Sequence, residues 1–311
     1  SLITGPGPKF YTEGRKVAWK VLEALKSPNT PEGKKATLEA IEEYKEIIPK
    51  APVGNDYRPL YWYCEYIAAS PQDRAKMIED PFVKHYFDSN GGEDFSFIKK
   101  YVYNQYLLHK QDKDIQDATG NIDRTKLAPP DVGEEELRSW NELVVFNHPL
   151  REEWEKTSQM LSLIGLKEGE VVADVGCGPG YYTFRFSKEV GKKGKVYALE
   201  ISDSGLAKVR SAVAKPQLGL TNVEPMLSKP NDTQLPANSV DVAYLCSLYH
   251  AIYLTDLEFV QAGFINSLKR ALKKDGRLVI ADNAMLQTRV PPYYGPRMDP
   301  RLIEEQLKHY G

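Results

Sequence analysis

The chain has 311 residues, 41% hydrophobic and 27% charged, and its 41 basic and 43 acidic side chains leave a formal net charge of −2. That length carries one large domain or two ordinary ones with a real core, and the balanced charge lacks the basic excess of nucleic-acid binders, so no nucleic-acid partner is expected. No apolar run approaches the roughly 20 residues that cross a bilayer, so no membrane span is expected. Cys64, Cys177 and Cys246 are scattered and form no C-x-x-C. A disulfide framework and a metal site are therefore not expected, and a reducing, cytoplasmic location is the default. The chain begins at Ser1 rather than Met, which is also compatible with a removed leader.

The first half reads as helical and rich in aromatic residues. Ser1 to Lys9 carries two Gly-Pro pairs and is expected to be a flexible lead-in. Val17, Val21, Leu22 and Leu25 give helical spacing over Lys16 to Lys26. Pro31 opens a second helix whose expected apolar face is Leu38, Ile41, Tyr44, Ile47 and Ile48, with Pro49 ending it. A third pattern, Leu60 to Ala69, is crowded with Tyr61, Trp62, Tyr63 and Tyr66; a fourth runs from Phe95 to His109. Ser89-Asn90-Gly91-Gly92 and Gln111 to Arg124 read as loops. Tyrosines at helical spacing are expected in the core more often than around a ligand. Residues 1–130 are thus expected to form an all-α domain serving as a lid over a site in the rest of the chain or as an interaction surface, with a homo-oligomer through it compatible with the pattern.

Ala128-Pro129-Pro130-Asp131 reads as a linker, and residues 131–311 as the second domain. Helices are expected over Glu134 to Phe146 and over Arg151 to Ile164, the latter carrying Trp154. Then comes Val171-Val172-Ala173-Asp174-Val175, breaking into Gly176, Gly178 and Gly180, with a helical pattern from Tyr181. An apolar strand, a glycine turn and a helix are the opening βα unit of an open α/β sheet. Glycines are needed because the backbone must turn tightly and approach a ligand closely. The next strand, Lys195 to Glu200, ends in a carboxylate 20 residues after Gly180, about the spacing at which an acid meets ribose hydroxyls.

Further strands are expected at Val223 to Leu227, Val240 to Leu245 and Arg277 to Asp282, with helices at Asp203 to Ala214, Asp256 to Leu272 and Asp299 to Tyr310. Such alternation with short connections predicts a doubly wound, mainly parallel sheet with helices on both faces. Ligands then gather at the carboxyl ends of the strands. That rule selects Asp174 to Gly180, Glu200-Ile201, Ser228 to Thr233, Cys246 to His250 and Asp282-Asn283.

A dinucleotide fold shows G-x-G-x-x-G, whereas the spacing here is G-x-G-x-G, which disfavours a nicotinamide-dependent dehydrogenase. The stretch Asp174 to Gly180, with Glu200, Pro230 to Pro236, Ser239 to Val242, Tyr249-His250 and Leu268 to Ile280, resembles the class I S-adenosylmethionine-dependent methyltransferases, a little-characterised bacterial group among them. The resemblance spans about residues 148–311; it implies a Rossmann-like fold, S-adenosyl-L-methionine as cofactor and S-adenosyl-L-homocysteine as product. On it, Gly176 to Gly180 line the cofactor's amino-acid end and Glu200 takes the ribose. The implied cofactor set is Asp174, Gly176, Cys177, Gly178, Gly180, Glu200, Ile201, Asn231, Asp232, Thr233, Cys246 and Ser247.

There are departures from the family pattern. Ser228 stands where many members have Asp, which moves the expected adenine-side contact to Asn231 or Asp232, and Ala251 replaces the second residue of a His pair. A closing antiparallel hairpin is expected after the last helix, and the chain stops at Gly311, so further chain or another subunit is expected to complete the sheet edge.

Methyl transfer is an in-line displacement, and a base is needed only if the acceptor must lose a proton. His250 at a strand end is the candidate base, with Tyr249 and Tyr253 placed to position an acceptor. Tyr182 is a candidate to reach the cofactor, Arg185 is expected at the surface, and Tyr293, Tyr294 and Arg297 are candidates for an acceptor lid. The expected activity is methylation of a small-molecule acceptor at O, N or S; the alternative is a non-catalytic S-adenosylmethionine-binding or assembly protein.

Overall fold

The computed structural model describes residues 17, 19–48, 57–103, 142–255, 257–282 and 298–311. These fall into two compact units, one within Ser1–Lys156 and one from Thr157 onwards. The expected linker, the Gln111 to Arg124 loop, Asn283 and the lid candidates Tyr293, Tyr294 and Arg297 lie outside the described residues.

The first unit is helical: α1 (19–26), α2 (Pro31–Ile47), α3 (Tyr57–Ala68), α4 (Pro71–Met77), α5 (Pro81–Ser89) and α6 (96–103). Three of them start in the same way. Thr30, Ser70 and Asp80 each accept a backbone N–H of the first turn with the side chain, and each is followed by a proline, whose missing N–H costs nothing at that position. α4 and α5 are additions to the helices expected from the sequence. The inward stripe of α2 is Thr37, Ala40, Tyr44 and Ile47 rather than one containing Leu38, which is 58% exposed. Leu38 follows Thr37 by one position, about 100° round the helix, which turns it outward.

The aromatic residues of α3 and its neighbours form the core: Tyr44, Tyr63, Tyr66, Phe87, Phe95 and Tyr101 are all fully buried. Tyr66 lies against Phe87 with ring centroids 4.6 Å apart, and its hydroxyl donates to Glu93. The cap of α5 is well formed: Asp80 Oδ1 accepts from Phe82 N at 2.8 Å and Val83 N at 3.1 Å. Asp80→Ala is expected to cost about 1 kcal/mol of this unit's stability, readable by urea denaturation followed by tryptophan fluorescence.

Two expectations on the approach to the sheet need correction. Glu142–Phe146 is a π-helix rather than the end of an α-helix. Arg151 to Ile164 is not one helix but two, α7 (Arg151–Glu155) and α8 (Thr157–Ile164), broken where Lys156 takes a left-handed φ of 54° and donates its N–H to Glu152 O.

The second unit is a five-stranded, wholly parallel sheet of β1 (Val171–Val175), β2 (Lys195–Glu200), β3 (Val223–Leu227), β4 (Val240–Cys246) and β5 (Leu272–Ala281), in the order β3-β2-β1-β4-β5. Connecting helices are α9 (Tyr181–Val190), α10 (Asp203–Val213), α11 (Tyr249–Tyr253) and α12 (Glu258–Ala271), with α13 (Pro300–His309) last. β5 starts directly after α12, and an irregularity in register absorbs the turn at Asp275-Gly276: Val240 pairs with Leu272, but Val242 with Arg277.

The central strands β1, β2 and β4 read as apolar runs because both faces are covered, whereas the outer strands β3 and β5 are only partly buried. One face buries Ala173, Val175, Leu199, Ala243 and Leu245 with Phe264 and Leu268 of α12. The alternate residue Tyr244 meets Tyr182 and Phe186 of α9, at centroid distances of 4.9 and 5.1 Å. The strand order reverses at β1, which puts the crevice of an open α/β sheet between the carboxyl ends of β1 and β4.

Candidate functional site

Beyond Val175 the chain turns through Gly176, Gly178 and Gly180, with φ values of 73°, 52° and 94°. The turn is anchored to β2: the N–H groups of Gly176 and Cys177 both donate to Leu199 O at 2.9 Å. The glycines are needed for different reasons. A Cβ on Gly180 would lie 2.5 Å from the Phe184 ring, and one on Gly176 would lie 2.8 Å from Leu248 Cδ2. A Cβ on Gly178 would meet nothing within 4 Å. Gly178 therefore lines open space, as a backbone that cradles a ligand must.

Glu200 closes the side of this turn. Its Oε2 accepts the Gly178 N–H at 3.3 Å, and its Oε1 accepts from Ile201 N at 2.8 Å and Ser202 N at 3.3 Å. Ile201 beside it is 60% exposed. Asp174 is buried under the turn, where its Oδ2 accepts the Thr183 hydroxyl at 2.5 Å. Cys177 is buried too; burial raises its thiol pKa well above the ordinary value, and the charges of Asp174 and Glu200 push it the same way. A thiol held neutral is not a nucleophile.

The other expected cofactor residues are placed less uniformly. Asp232 is held in its own turn: its carboxylate accepts from Gln234 N at 2.9 Å and from Arg270 of α12 at 2.8 Å. The Gln234 N–H and then the guanidinium hold that carboxyl below the usual range. Thr233 is buried, with its N–H donated to Ser267 of α12, and Asn231 packs by its backbone where Gly263 leaves room. The Asn231 to Thr233 loop is thus fastened to α12. At the end of β4, Cys246 is half-buried, and Ser247 is exposed at a φ of 50° with its N–H donated to Ala281 O.

Leu248 is the link between the glycine turn and α11, since its side chain fills the space facing Gly176. Two residues on, His250 meets Asp282 at the end of β5: Nδ1 lies 2.8 Å from Oδ1, and the His250 backbone N–H donates to Oδ2 at 2.9 Å. Tyr249 faces elsewhere. It is fully buried, its hydroxyl donates to Gln306 of α13 at 2.6 Å, and burial pushes its pKa up to about 12. Tyr253 lines a separate cavity of about 560 Å³ with Gln261, Gln306, His309 and Tyr310. Of the three expected catalytic residues, only His250 has a carboxylate partner at a strand end.

Tyr182 is buried in the sheet–α9 packing, and Arg185 lies over the Tyr181 ring at 3.5 Å. Trp154 packs on His148 within the helical unit. Sequence reading placed Asp282 at a strand end but did not pair it with His250; the shared strand-end position was the only available signal. Gln306, which fastens Tyr249, gave no signal at all.

Residues 166–307 match the family model described as methyltransferase domain, and residues 102–228 match that of protein-L-isoaspartate(D-aspartate) O-methyltransferase. The chain carries a class I S-adenosylmethionine-dependent methyltransferase domain. S-adenosylmethionine is the cofactor of this methyltransferase domain, and the open cradle at Gly178 with Glu200 on its flank fits it. Among its relatives is an aklanonic acid methyltransferase of a Streptomyces species, 26% identical over 45% of this chain and 60% of that one. Another is the nocamycin O-methyltransferase of Saccharothrix syringae, 31% identical over 39% of this chain and 40% of that one. A solved methyltransferase of Aquifex aeolicus is 32% identical, with 52% of this chain and 82% of that chain covered and a TM-score of 0.45. The chain thus spans 60% and 40% of the lengths of the two curated relatives.

Proposed function

We propose that this methyltransferase transfers a methyl group to a small-molecule acceptor. The observation that carries the reading is the adjacency, through Leu248, of an open glycine cradle and a histidine–carboxylate pair on neighbouring strand ends. Relatives named for aklanonic acid and nocamycin support a small organic acceptor, and a net charge of −2 gives nucleic acid no electrostatic hold. When bound, S-adenosylmethionine supplies a methyl carbon on a positively charged sulfur that departs as a neutral thioether.

The chain's own residues have separate tasks. Gly176, Cys177, Gly178 and Gly180 form the backbone cradle, with Asp174 bracing it from below through Thr183. Glu200 offers its carboxylate to ribose hydroxyls, with Ile201 beside it as an apolar wall. Asn231, Asp232 and Thr233 border the adenine side by their backbone, because the side chain of Asp232 is committed to Arg270 and the Thr233 side chain is buried. Cys246 and Ser247 border the reacting end, and His250 serves as the base. Tyr249 and Tyr253 act from behind, holding α11 and the flanking cavity in place.

Calorimetric titration should give micromolar affinity for S-adenosylmethionine and S-adenosylhomocysteine, and a panel of hydroxylated, amino and thiol acceptors should take up labelled methyl groups. A folded wild type that binds neither compound sinks this reading; one that binds both but labels nothing on the panel supports a non-catalytic binding protein instead. Glu200→Ala is expected to weaken binding by roughly tenfold to a hundredfold, because a hydrogen bond to a charged group contributes about 1.5–3 kcal/mol.

A further inference from the structure

We propose that Asp282 fixes His250 as a base acting through Nε2, and that the acceptor is a hydroxyl or phenol methylated on oxygen. The inference rests on the methyltransferase reading above and deepens it to a substrate class. Asp282 follows the last residue of β5, and its side chain is only 3% exposed. It holds His250 at two points: Oδ2 takes the backbone N–H at 2.9 Å, and Oδ1 lies 2.8 Å from Nδ1. An ionised carboxylate can only accept hydrogen bonds, so Nδ1 carries the proton and the lone pair is on Nε2. The two contacts together leave the ring one orientation. The His250 side chain is 15% exposed, so the ring is largely withdrawn from water but not sealed from it.

A base oriented in this way is needed for some acceptors and not for others. A neutral amine attacks with its own lone pair and sheds its second proton afterwards; an aliphatic ammonium, with a pKa of about 10.4, reaches that form by losing one proton to water before it attacks. A thiol, with a pKa near 8.5, is already a few per cent thiolate at neutral pH. A phenol titrates near 10 and an aliphatic hydroxyl far higher, so each must give up its proton as it attacks. In the step, the acceptor's O–H proton passes to His250 Nε2, the oxygen's electron pair forms the O–CH₃ bond, and the pair of the breaking S–CH₃ bond stays on sulfur. The imidazolium, stabilised by Asp282, then returns its proton to solvent.

The test has one arm that requires no turnover. Long-range ¹H–¹⁵N correlation spectra of the full chain, with His250→Gln to identify the signals, should show His250 protonated on Nδ1. Asp282→Asn keeps the shape, but its amide donates to Nδ1 and should switch His250 to the Nε2–H tautomer. With a phenolic acceptor, Asp282→Asn and His250→Gln should each lower kcat by roughly 10²–10⁴-fold, with S-adenosylmethionine affinity unchanged. An Nε2–H ring in the wild type overturns the proposal, and so does an Asp282→Asn variant that methylates phenols at the wild-type rate. Amines or thiols methylated faster than hydroxyls overturn the acceptor class. A folded protein with the Nδ1–H ring but no affinity for S-adenosylmethionine overturns the methyltransferase reading, and the acceptor class with it, while the role of Asp282 in orienting His250 stands.

Discussion

Gly178→Val is expected to weaken S-adenosylmethionine binding by at least about 100-fold, roughly 2.7 kcal/mol, in a protein that still folds. The two halves of that expectation come from different features of one residue. A Cβ at this position meets no protein atom within 4 Å, so the side chain grows into the space where the ligand would lie rather than into the core. The left-handed φ of 52° costs a side chain on the order of 1–2 kcal/mol, more for a β-branched one, which most domains tolerate. Gly180→Val provides the contrast. There the new Cβ falls 2.5 Å from the Phe184 ring, so the turn and the start of α9 must move, and loss of binding should come with loss of stability. Calorimetry and thermal unfolding on both variants separate the cases. Wild-type affinity in a folded Gly178→Val protein removes the cradle from this turn.

The parallel sheet was legible because burial on both faces writes the central strands β1, β2 and β4 as apolar runs, and glycines and acids mark where the runs end. The first four strands and α10, α12 and α13 lie where the pattern puts them, within a few residues, while β5 starts at Leu272, five residues before the expected Arg277. What escaped is local or distant in sequence. α4 and α5 have only 7 and 9 residues, too few for a convincing apolar period, yet Ser70-Pro71 and Asp80-Pro81 are capping pairs that announce both. Lys156 breaks the expected Arg151 to Ile164 helix by taking a left-handed conformation, which no residue type there signals. Leu38 satisfies a helical period and still faces solvent, because the stripe centred on Tyr44 is set by the partner helices. At the site, neighbours in sequence diverge in space. Tyr249 and His250 look like one motif, but the first turns to Gln306 and the second to Asp282, 57 and 32 residues away. Spacing places residues at a strand end; it does not choose the partner that gives a side chain its chemistry.

The stability of the helical unit should fall as the pH drops below about 6.5, and His148→Phe should remove most of that slope. His148 is fully buried among the rings of Trp62, Tyr86 and Trp154, at centroid distances of 5.9, 5.4 and 5.7 Å. Its Nδ1 accepts the Leu150 N–H at 3.0 Å, which fixes a neutral ring. Burial lowers its pKa to about 3, and the nearby Pro59 carbonyl offsets this only in part. An unfolded histidine titrates near 6.5. Between pH 6.5 and 3 the unfolded chain therefore binds one proton more than the folded one, and stability rises with pH across that window. The contribution is complete above pH 6.5 and is lost progressively towards pH 3, at up to about 1.4 kcal/mol per pH unit and on the order of 5 kcal/mol in all. His148→Phe leaves the Leu150 N–H without its acceptor, so it should cost about 1–3 kcal/mol at pH 7 while flattening the acid limb. All four tryptophans, Trp19, Trp62, Trp140 and Trp154, lie in the first 156 residues, so their fluorescence in urea reports on this unit rather than on the sheet. Carboxylates also titrate at the acid end, so the deciding quantity is the difference in slope between wild type and variant from pH 7 to 4.5. Equal slopes mean that His148 takes up its proton as readily folded as unfolded, and its burial in the aromatic core is then not what makes the unit acid-sensitive.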